Sequence, residues 1–342
     1  MKLGLLCGNF GADLTIPYDR IKEAESLGFD SVWTAEAYGN DAVVPASFIA
    51  AQTSKIRVGT AIMQMPGRTP AMTAMTAMSL DALSGGRFTL GLGPSGPQVV
   101  EGWHGVPYGK PLTRTREYIS IVRSILRREA PLEHEGAHYQ IPFSGDGATG
   151  QGKAIKSILH GRADMKIFTA AISPNGLRCA GEAADGVFPV WMDPSQPKIL
   201  EEPIAAGIAK AGGGKQRSDF ELSSFVNVVL GDDVEKCRGP VKMMLALYIG
   251  GMGSREKNFY NAYAKRLGYE DAAVKIQDLY LTGKKGEAMA AVPDELIDAV
   301  ALVGPRERIA ERVDVWKESG VDAMLLGTAQ PEAIQLMAEL VL

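Results

Sequence analysis

The sequence predicts an α/β fold and, within that class, a (β/α)8 TIM barrel with insertions. Strand-like and helix-like stretches alternate from the first residues. The strand-like stretches are too apolar to face water, the pattern of a parallel sheet covered by helices. Most strand-to-strand spacings, near roughly 25–45 residues, suit a β/α barrel. The chain has 342 residues, 46% hydrophobic and 22% charged, which is ordinary for a globular protein and ample for a sizeable core. That length fits one large barrel or two smaller domains. One domain over residues 1–342 is expected, with a helical insertion at about 231–299.

Taken in order, Lys2–Leu6 reads as a strand and Tyr18–Leu27 as a helix ended by Gly28. Ser31–Thr34 is a strand, Pro45–Gln52 helical, Arg57–Ala61 a strand and Thr73–Leu83 helical. The Ser84-Gly85-Gly86 break precedes Phe88–Leu92, a short apolar run bounded by glycines and so a buried strand. A helix follows from about Thr113 to Arg127. Lys166–Ala170 is a strand, Asn175–Ala183 a helix, Gly186–Val190 a strand, Lys198–Ala211 a helix and Phe220–Leu230 a long strand. From Gly231 to Val300 apolar and charged residues mix at helical spacing, broken at Gly250-Gly251, and this stretch is read as the insertion beside the site's mouth. Pro305–Glu318, Ala323–Leu326 and a helix from Pro331 complete the barrel. The glycine-rich Ser144–Gly152 is expected to be a mobile loop or lid.

The organising stretch is Phe88–Leu92 with the loop that follows, Gly93-Pro94-Ser95-Gly96-Pro97. Prolines remove two backbone donors there and glycines permit close backbone approach to a ligand. A strand opening into such a loop suits a site at the carboxyl end of a sheet. Gly91 to Gly96 also spells GxGxxG. A dinucleotide site is disfavoured, because Pro97 follows at once and the next convincing helix starts some way downstream. His134-Glu135-Gly136-Ala137-His138 spells HExxH, but Pro131, Gly136 and Pro142 leave no helix to align both histidines. No metal is expected.

Ser173-Pro174-Asn175-Gly176 joins a strand to a helix. It caps the helix, or it presents backbone N–H groups and a hydroxyl to a phosphate; residue type leaves both open. Glu36 ends the second strand and either sits in solvent or orients a reacting group. His104, beside Trp103, is a proton donor or a packed loop residue. The methionine-rich run from Met63 to Met78 is read as core.

The net charge of −4 and the lack of a basic tract argue against nucleic acid. No apolar run approaches a membrane span, and the opening MKLGLLCGNF reads as a strand, not a signal peptide. Cys7, Cys179 and Cys237 are few, odd in number and widely spaced, which fits a reducing cytoplasm.

Several stretches together resemble the bacterial luciferase-like family of flavin and deazaflavin enzymes: FDSVWTAEAYG, IRVGTAIMQMPGRTPAMTAMTAMSLDALSGGRFTLGLGPSGPQVVEGWHG and AAISPNGLRCAGEAADGV. The form with GPQVVEGWHG is similar to the branch that uses the deazaflavin coenzyme F420. That branch includes methylenetetrahydromethanopterin reductase and F420-dependent glucose-6-phosphate dehydrogenase. The resemblance implies a barrel that is commonly a homodimer, a cytoplasmic oxidoreductase, coenzyme F420 (alternatively FMN), and a small-molecule substrate. It implies a non-proline cis peptide at Ala61-Ile62 behind the ring. It places Leu92, Gly93, Pro94 and Ser95 beside the cofactor, and Ala170, Ala171, Ile172, Ser173, Pro174 and Asn175 at its phosphate-bearing tail. Arg68, Lys153 and Arg178 are possible further partners of that tail.

The chain also departs from the pattern. Ala37 stands where relatives have a histidine after the acidic residue kept as Glu36, and Gly96 replaces a glutamate of the sugar-phosphate enzyme. Cys7-Gly8-Asn9 lacks the reductase's first-strand carboxylates. Neither relative's substrate is therefore expected here. Glu36, Tyr38 and His104 are the candidates to orient substrate or move a proton. An FMN-dependent monooxygenase and a non-catalytic F420-binding protein are the rival readings.

Overall fold

The computed structural model describes residues 1–8 and 12–342, so the departure read at Asn9 lies outside the described residues. Eight parallel strands form a closed ring: β1 (Lys2–Cys7), β2 (Ser31–Thr34), β3 (Arg57–Thr60), β4 (Phe88–Gly93), β5 (Ile167–Ala170), β6 (Gly186–Phe188), β7 (Glu221–Leu230) and β8 (Ala323–Gly327). Neighbours pair in chain order, with Leu5 opposite Val32, Val32 opposite Val58 and Gly59 opposite Thr89. Ser223 pairs with Ala323, which also pairs with Lys2, and this closes the barrel. All the expected strands are present, with ends shifted by a residue or two.

The strands read as apolar because both faces are buried. Leu3, Leu5 and Cys7 of β1 face the helices. The barrel interior holds Trp33, Phe168, Phe188, Ala323 and Leu325. Trp33 and Phe188 meet edge to face at 4.9 Å between ring centroids. Small residues make room for these rings. A Cβ on Gly59 would lie 2.3 Å from the Trp33 ring, and one on Gly91 would lie 1.8 Å from the Thr60 carbonyl and 2.7 Å from Phe188. Below the rings, at the amino ends of the strands, Arg57 pairs with Asp30 at 2.6 Å and Glu221 at 2.9 Å, and Lys2 pairs with Glu221 at 2.8 Å. Arg57 also lies over the Trp33 ring. That end of the barrel is closed, and the open end is where the strands finish.

Three local readings need correction. Of the methionine-rich run read as core, Met63, Met65 and Met78 are buried but Met72 and Met75 are exposed, because they lie on the outer face of the helix Pro70–Leu83. A six-residue helix, Pro97–Gly102, begins directly after the β4 loop. The proline that argued against a helix is its first residue, where a missing N–H costs nothing and the fixed φ fits. The segment 231–299 carries the expected helices, but the short strand Ala301–Gly304 follows it and pairs with the carboxyl end of β7. His134–Glu135 pairs with Gln140–Ile141 as a short hairpin, so the two histidines do not share a helix.

The inserted helices are tied to the barrel by charge. Arg238 pairs with Asp294 at 2.9 Å and Asp298 at 2.5 Å, and Arg308 of the helix Arg306–Glu318 reaches the same Asp298 at 2.8 Å. Buried Asn258 caps the helix Phe259–Arg266 through Oδ1 while its amide donates to the carbonyls of Tyr248 and Ile249.

Candidate active site

At the open end, β3 stops at Thr60, and the Ala61-Ile62 peptide is cis, as the resemblance implies. The chain then resumes pairing with β4 through Met63 and Gln64. The Ala61 N–H donates to Thr34 O at 2.6 Å, and Ile62 O accepts from Glu36 N–H at 3.3 Å. A Cβ on Gly93 would fall 2.7 Å from Ile62 Cγ1, so the bare backbone of β4 lets this side chain lie flat against it. Ile62, Ala61 and Ala170 pack over the aromatic floor of Trp33, Phe168 and Phe188. The result is an apolar shelf at the mouth.

Leu92 turns outward into the cluster with Met63, Met65 and Leu90 and offers the mouth only its backbone. Pro94 and Ser95 are half-buried, and Ser95 has φ 58°. This left-handed conformation is sparsely used by residues other than glycine. Ala171 and Ile172 follow β5, half-buried. Ser173 caps the helix Pro174–Ala183, its Oγ accepting from Gly176 N–H at 3.1 Å. Asn175 is exposed in the first turn and accepts from Arg178 at 3.5 Å.

Glu36 is committed on every side. Its Oε1 accepts from Gln64 N–H at 2.7 Å and pairs with Arg68 at 2.5 Å, and its Oε2 accepts from Ala42 N–H at 2.9 Å. With its side chain 6% exposed, it fastens the loops after β2 and β3 to each other. Burial opposes the Arg68 charge, but the bonds to Glu36 and the nearby Asp41 hold its pKa above the ordinary value. Arg68 is thereby engaged on the rim, with Glu36 and Asp41.

Buried Gln64 links Glu36 to His104. Its Nε2 donates to Ala37 O at 2.6 Å, so its Oε1 faces His104 Nε2 at 3.3 Å. The imidazole must then donate from Nε2, which leaves Nδ1 as the proton acceptor.

A second wall comes from the inserted helices. Trp191, Tyr248 and Tyr260 form a mutually edge-on or tilted triad with centroids 4.8–5.7 Å apart. Trp191 has φ 54°, an uncommon conformation for so bulky a side chain. Burial, and secondarily the Tyr38 hydroxyl, push the Tyr248 phenol up. Tyr38 itself is 63% exposed at the rim. Arg266 ends the helix Phe259–Arg266 and donates to Ile172 O at 2.6 Å. Its guanidinium lies over the Tyr263 ring, its buried Nε has no partner, and burial lowers its pKa. No carboxylate pairs with it among the described residues.

The fold thus brings the β3, β4 and β5 ends together with Glu36 and His104, and it sets Tyr38 near the inserted helices. Gln64, Trp191, Tyr260 and Arg266 belong to the same mouth and were not singled out from sequence. The one signal for them is position: Gln64 lies two residues after the cis peptide, Trp191 follows β6, and Tyr260 and Arg266 depend on how the insertion folds back.

The luciferase-like monooxygenase family model matches residues 11–323. A Mycobacterium tuberculosis (strain ATCC 25618 / H37Rv) protein named as a coenzyme F420-dependent oxidoreductase is 42% identical over 100% of this chain and 99% of its own. A 5,10-methylenetetrahydromethanopterin reductase of Archaeoglobus fulgidus is 27% identical over 93% of this chain and 92% of its own. Among solved structures, the F420-dependent tetrahydromethanopterin reductase of Methanopyrus kandleri superposes with a TM-score of 0.80 at 24% identity, covering 99% of this chain and 98% of its own. Matched by the family model over residues 11–323 and by a 42% identical relative end to end, this chain belongs to the luciferase-like monooxygenase family.

Proposed function

We propose that this protein is a coenzyme F420-dependent oxidoreductase that moves a hydride between the deazaflavin and a small organic substrate. The observation that carries this reading is the 42% identity, end to end, with a protein named for that coenzyme. The mouth fits such a group. Ile62 against Gly93 and Ala170 gives an apolar shelf for a flat ring. The Ser173-capped helix end and the orphaned Arg266 Nε beside Ile172 suit an anion.

When bound, the coenzyme supplies the redox chemistry, and the protein supplies placement and proton handling. Ala61, Ile62, Gly93, Pro94, Ser95 and Ala170 present the shelf, with Leu92 contributing backbone. Ala171, Ile172, Ser173, Pro174 and Asn175 hold the phosphate-bearing part. Glu36 acts as a positioning residue that fixes Gln64, and Gln64 in turn fixes the His104 tautomer. His104 Nδ1 takes or returns the substrate's proton, and Tyr38 borders the substrate.

The family's monooxygenase description supports a second reading, an FMN-dependent oxygenase on the same shelf. A non-catalytic F420 carrier is the third. Turnover of reduced F420 with an organic acceptor, compared with oxygen-dependent turnover of reduced FMN, separates them.

Exposed Val44 and Phe48 on the helix Val43–Gln52, with Met72 and Met75 on the contacting helix Pro70–Leu83, form an apolar face. This face supports a homodimer, which light scattering of the protein and of Phe48→Glu tests. No described helix is long and apolar enough to cross a membrane. Together with three free cysteines, this supports a cytoplasmic enzyme.

A further inference from the structure

Beside the rim network lies an open cavity of about 400 Å³ whose wall shares no residue with the shelf. Its wall includes Gly67, Arg68, Thr69, Arg114, His138 and Tyr139, and no carboxylate lines it. Arg68 is neutralised by Glu36 and Asp41. Arg114 is not: its one hydrogen bond goes to Pro107 O at 2.8 Å, and among the described residues no acid pairs with it. His138 contributes a buried Nε2 with no partner. The two side chains are neighbours, both flanking Gly109: a Cβ built there would lie 3.4 Å from His138 Cε1 and 3.6 Å from Arg114 Nη2.

Glu117, whose charge also acts on His138, is turned to the backbone. Glu117 accepts from the backbone N–H groups of Ala137, His138 and Tyr139 at 2.9–3.2 Å, and these bonds hold the His138 loop in place. They draw its pKa below the ordinary carboxylate value despite burial. A guanidinium without a counter-charge beside a stranded imidazole nitrogen, in a cavity without acids, is matched by an oxyanion.

We propose that this cavity is a binding site for a small oxyanion, a phosphate or carboxylate group, held by Arg114 and by His138 donating from Nε2. The site goes beyond the cofactor reading of the barrel mouth, and its oxyanion comes either from a free small molecule or from the acidic part of the bound coenzyme.

The test uses inorganic phosphate as probe, on the full chain without coenzyme. Calorimetry measures binding, and ¹⁵N-histidine NMR reads the ring nitrogens of the four histidines. The expected result is saturable binding with a shift of the His138 Nε2 resonance, weakened about tenfold or more in Arg114→Gln and in His138→Gln. Arg114→Lys, which keeps the charge, recovers part of it, and thermal melts confirm that each variant is folded. A repeat titration with coenzyme F420 saturating identifies the source: lost phosphate binding means that the coenzyme's acidic part occupies the cavity, and unchanged binding means a separate small anion. Absence of saturable phosphate binding, or equal affinity in parent and both folded neutral variants, overturns the proposal. Either result leaves coenzyme binding at the shelf to be judged separately.

Discussion

Replacing Glu36 separates a carboxylate that holds the mouth together from one that only handles protons. In Glu36→Ala the Gln64 and Ala42 N–H groups lose their acceptor and Arg68 keeps Asp41 alone, at 3.1 Å. Breaking a buried ion pair by removing one partner costs about 3–5 kcal/mol. Arg68 is 19% exposed and retains a counter-charge, so the lower end applies and about 3 kcal/mol is expected. Glu36→Gln keeps one acceptor oxygen but not the charge, and should cost about 1–2 kcal/mol. A cycle with Arg68→Ala should show about 1.5–3 kcal/mol of coupling, the range of a charge-assisted bond. The assay is urea unfolding followed by tryptophan fluorescence. A Glu36→Ala loss under about 0.5 kcal/mol, or additive single costs, would refute the positioning role. A purely proton-handling carboxylate would instead leave stability intact while turnover fell.

Gly91→Ala forces a methyl against the Thr60 carbonyl at 1.8 Å and Phe188 at 2.7 Å, so it should cost at least about 1–3 kcal/mol in thermal or urea unfolding; parent-like stability would contradict the packing described. Burial opposes ionisation of Glu221, yet Arg57 and Lys2 hold its pKa below the ordinary 4.5. A depressed carboxylate pKa contributes stability that is complete above the unfolded value and disappears as the pH falls through the folded one. The urea midpoint should therefore fall as pH is lowered from about 5, less steeply in Glu221→Gln, and identical slopes would exclude this contribution. Arg266→Gln should weaken coenzyme F420 binding about tenfold and reduce its salt dependence; unchanged affinity would remove Arg266 from the site.

The barrel was legible because each strand announces itself. Gly59 and Gly91 interrupt apolar runs where Trp33 and Phe188 need space, and glycine or proline punctuates most strand ends. The Ala61-Ile62 bulge came from resemblance, since nothing in that dipeptide marks it. The rim network was half visible: Glu36 and His104 stood out by residue type. Their link through Gln64 and Arg68 depends on contacts 27–40 residues apart in sequence. Tyr248, Tyr260 and Arg266 were hidden because helical periodicity shows that a helix packs, not which face meets the mouth. Pro97 misled because the same ring that breaks a helix interior also starts one.

The central claim, that the shelf and the Arg266 side of the mouth together hold a deazaflavin for hydride transfer, is tested most directly by titrating the protein with coenzyme F420 and with FMN at two salt concentrations. The same preparation is then followed for loss of the reduced coenzyme's signal with a panel of organic acceptors under nitrogen. The account predicts tighter binding of F420, weakened by salt, and acceptor-dependent turnover without oxygen. Equal or tighter FMN binding with turnover that requires oxygen would contradict it and establish the monooxygenase reading.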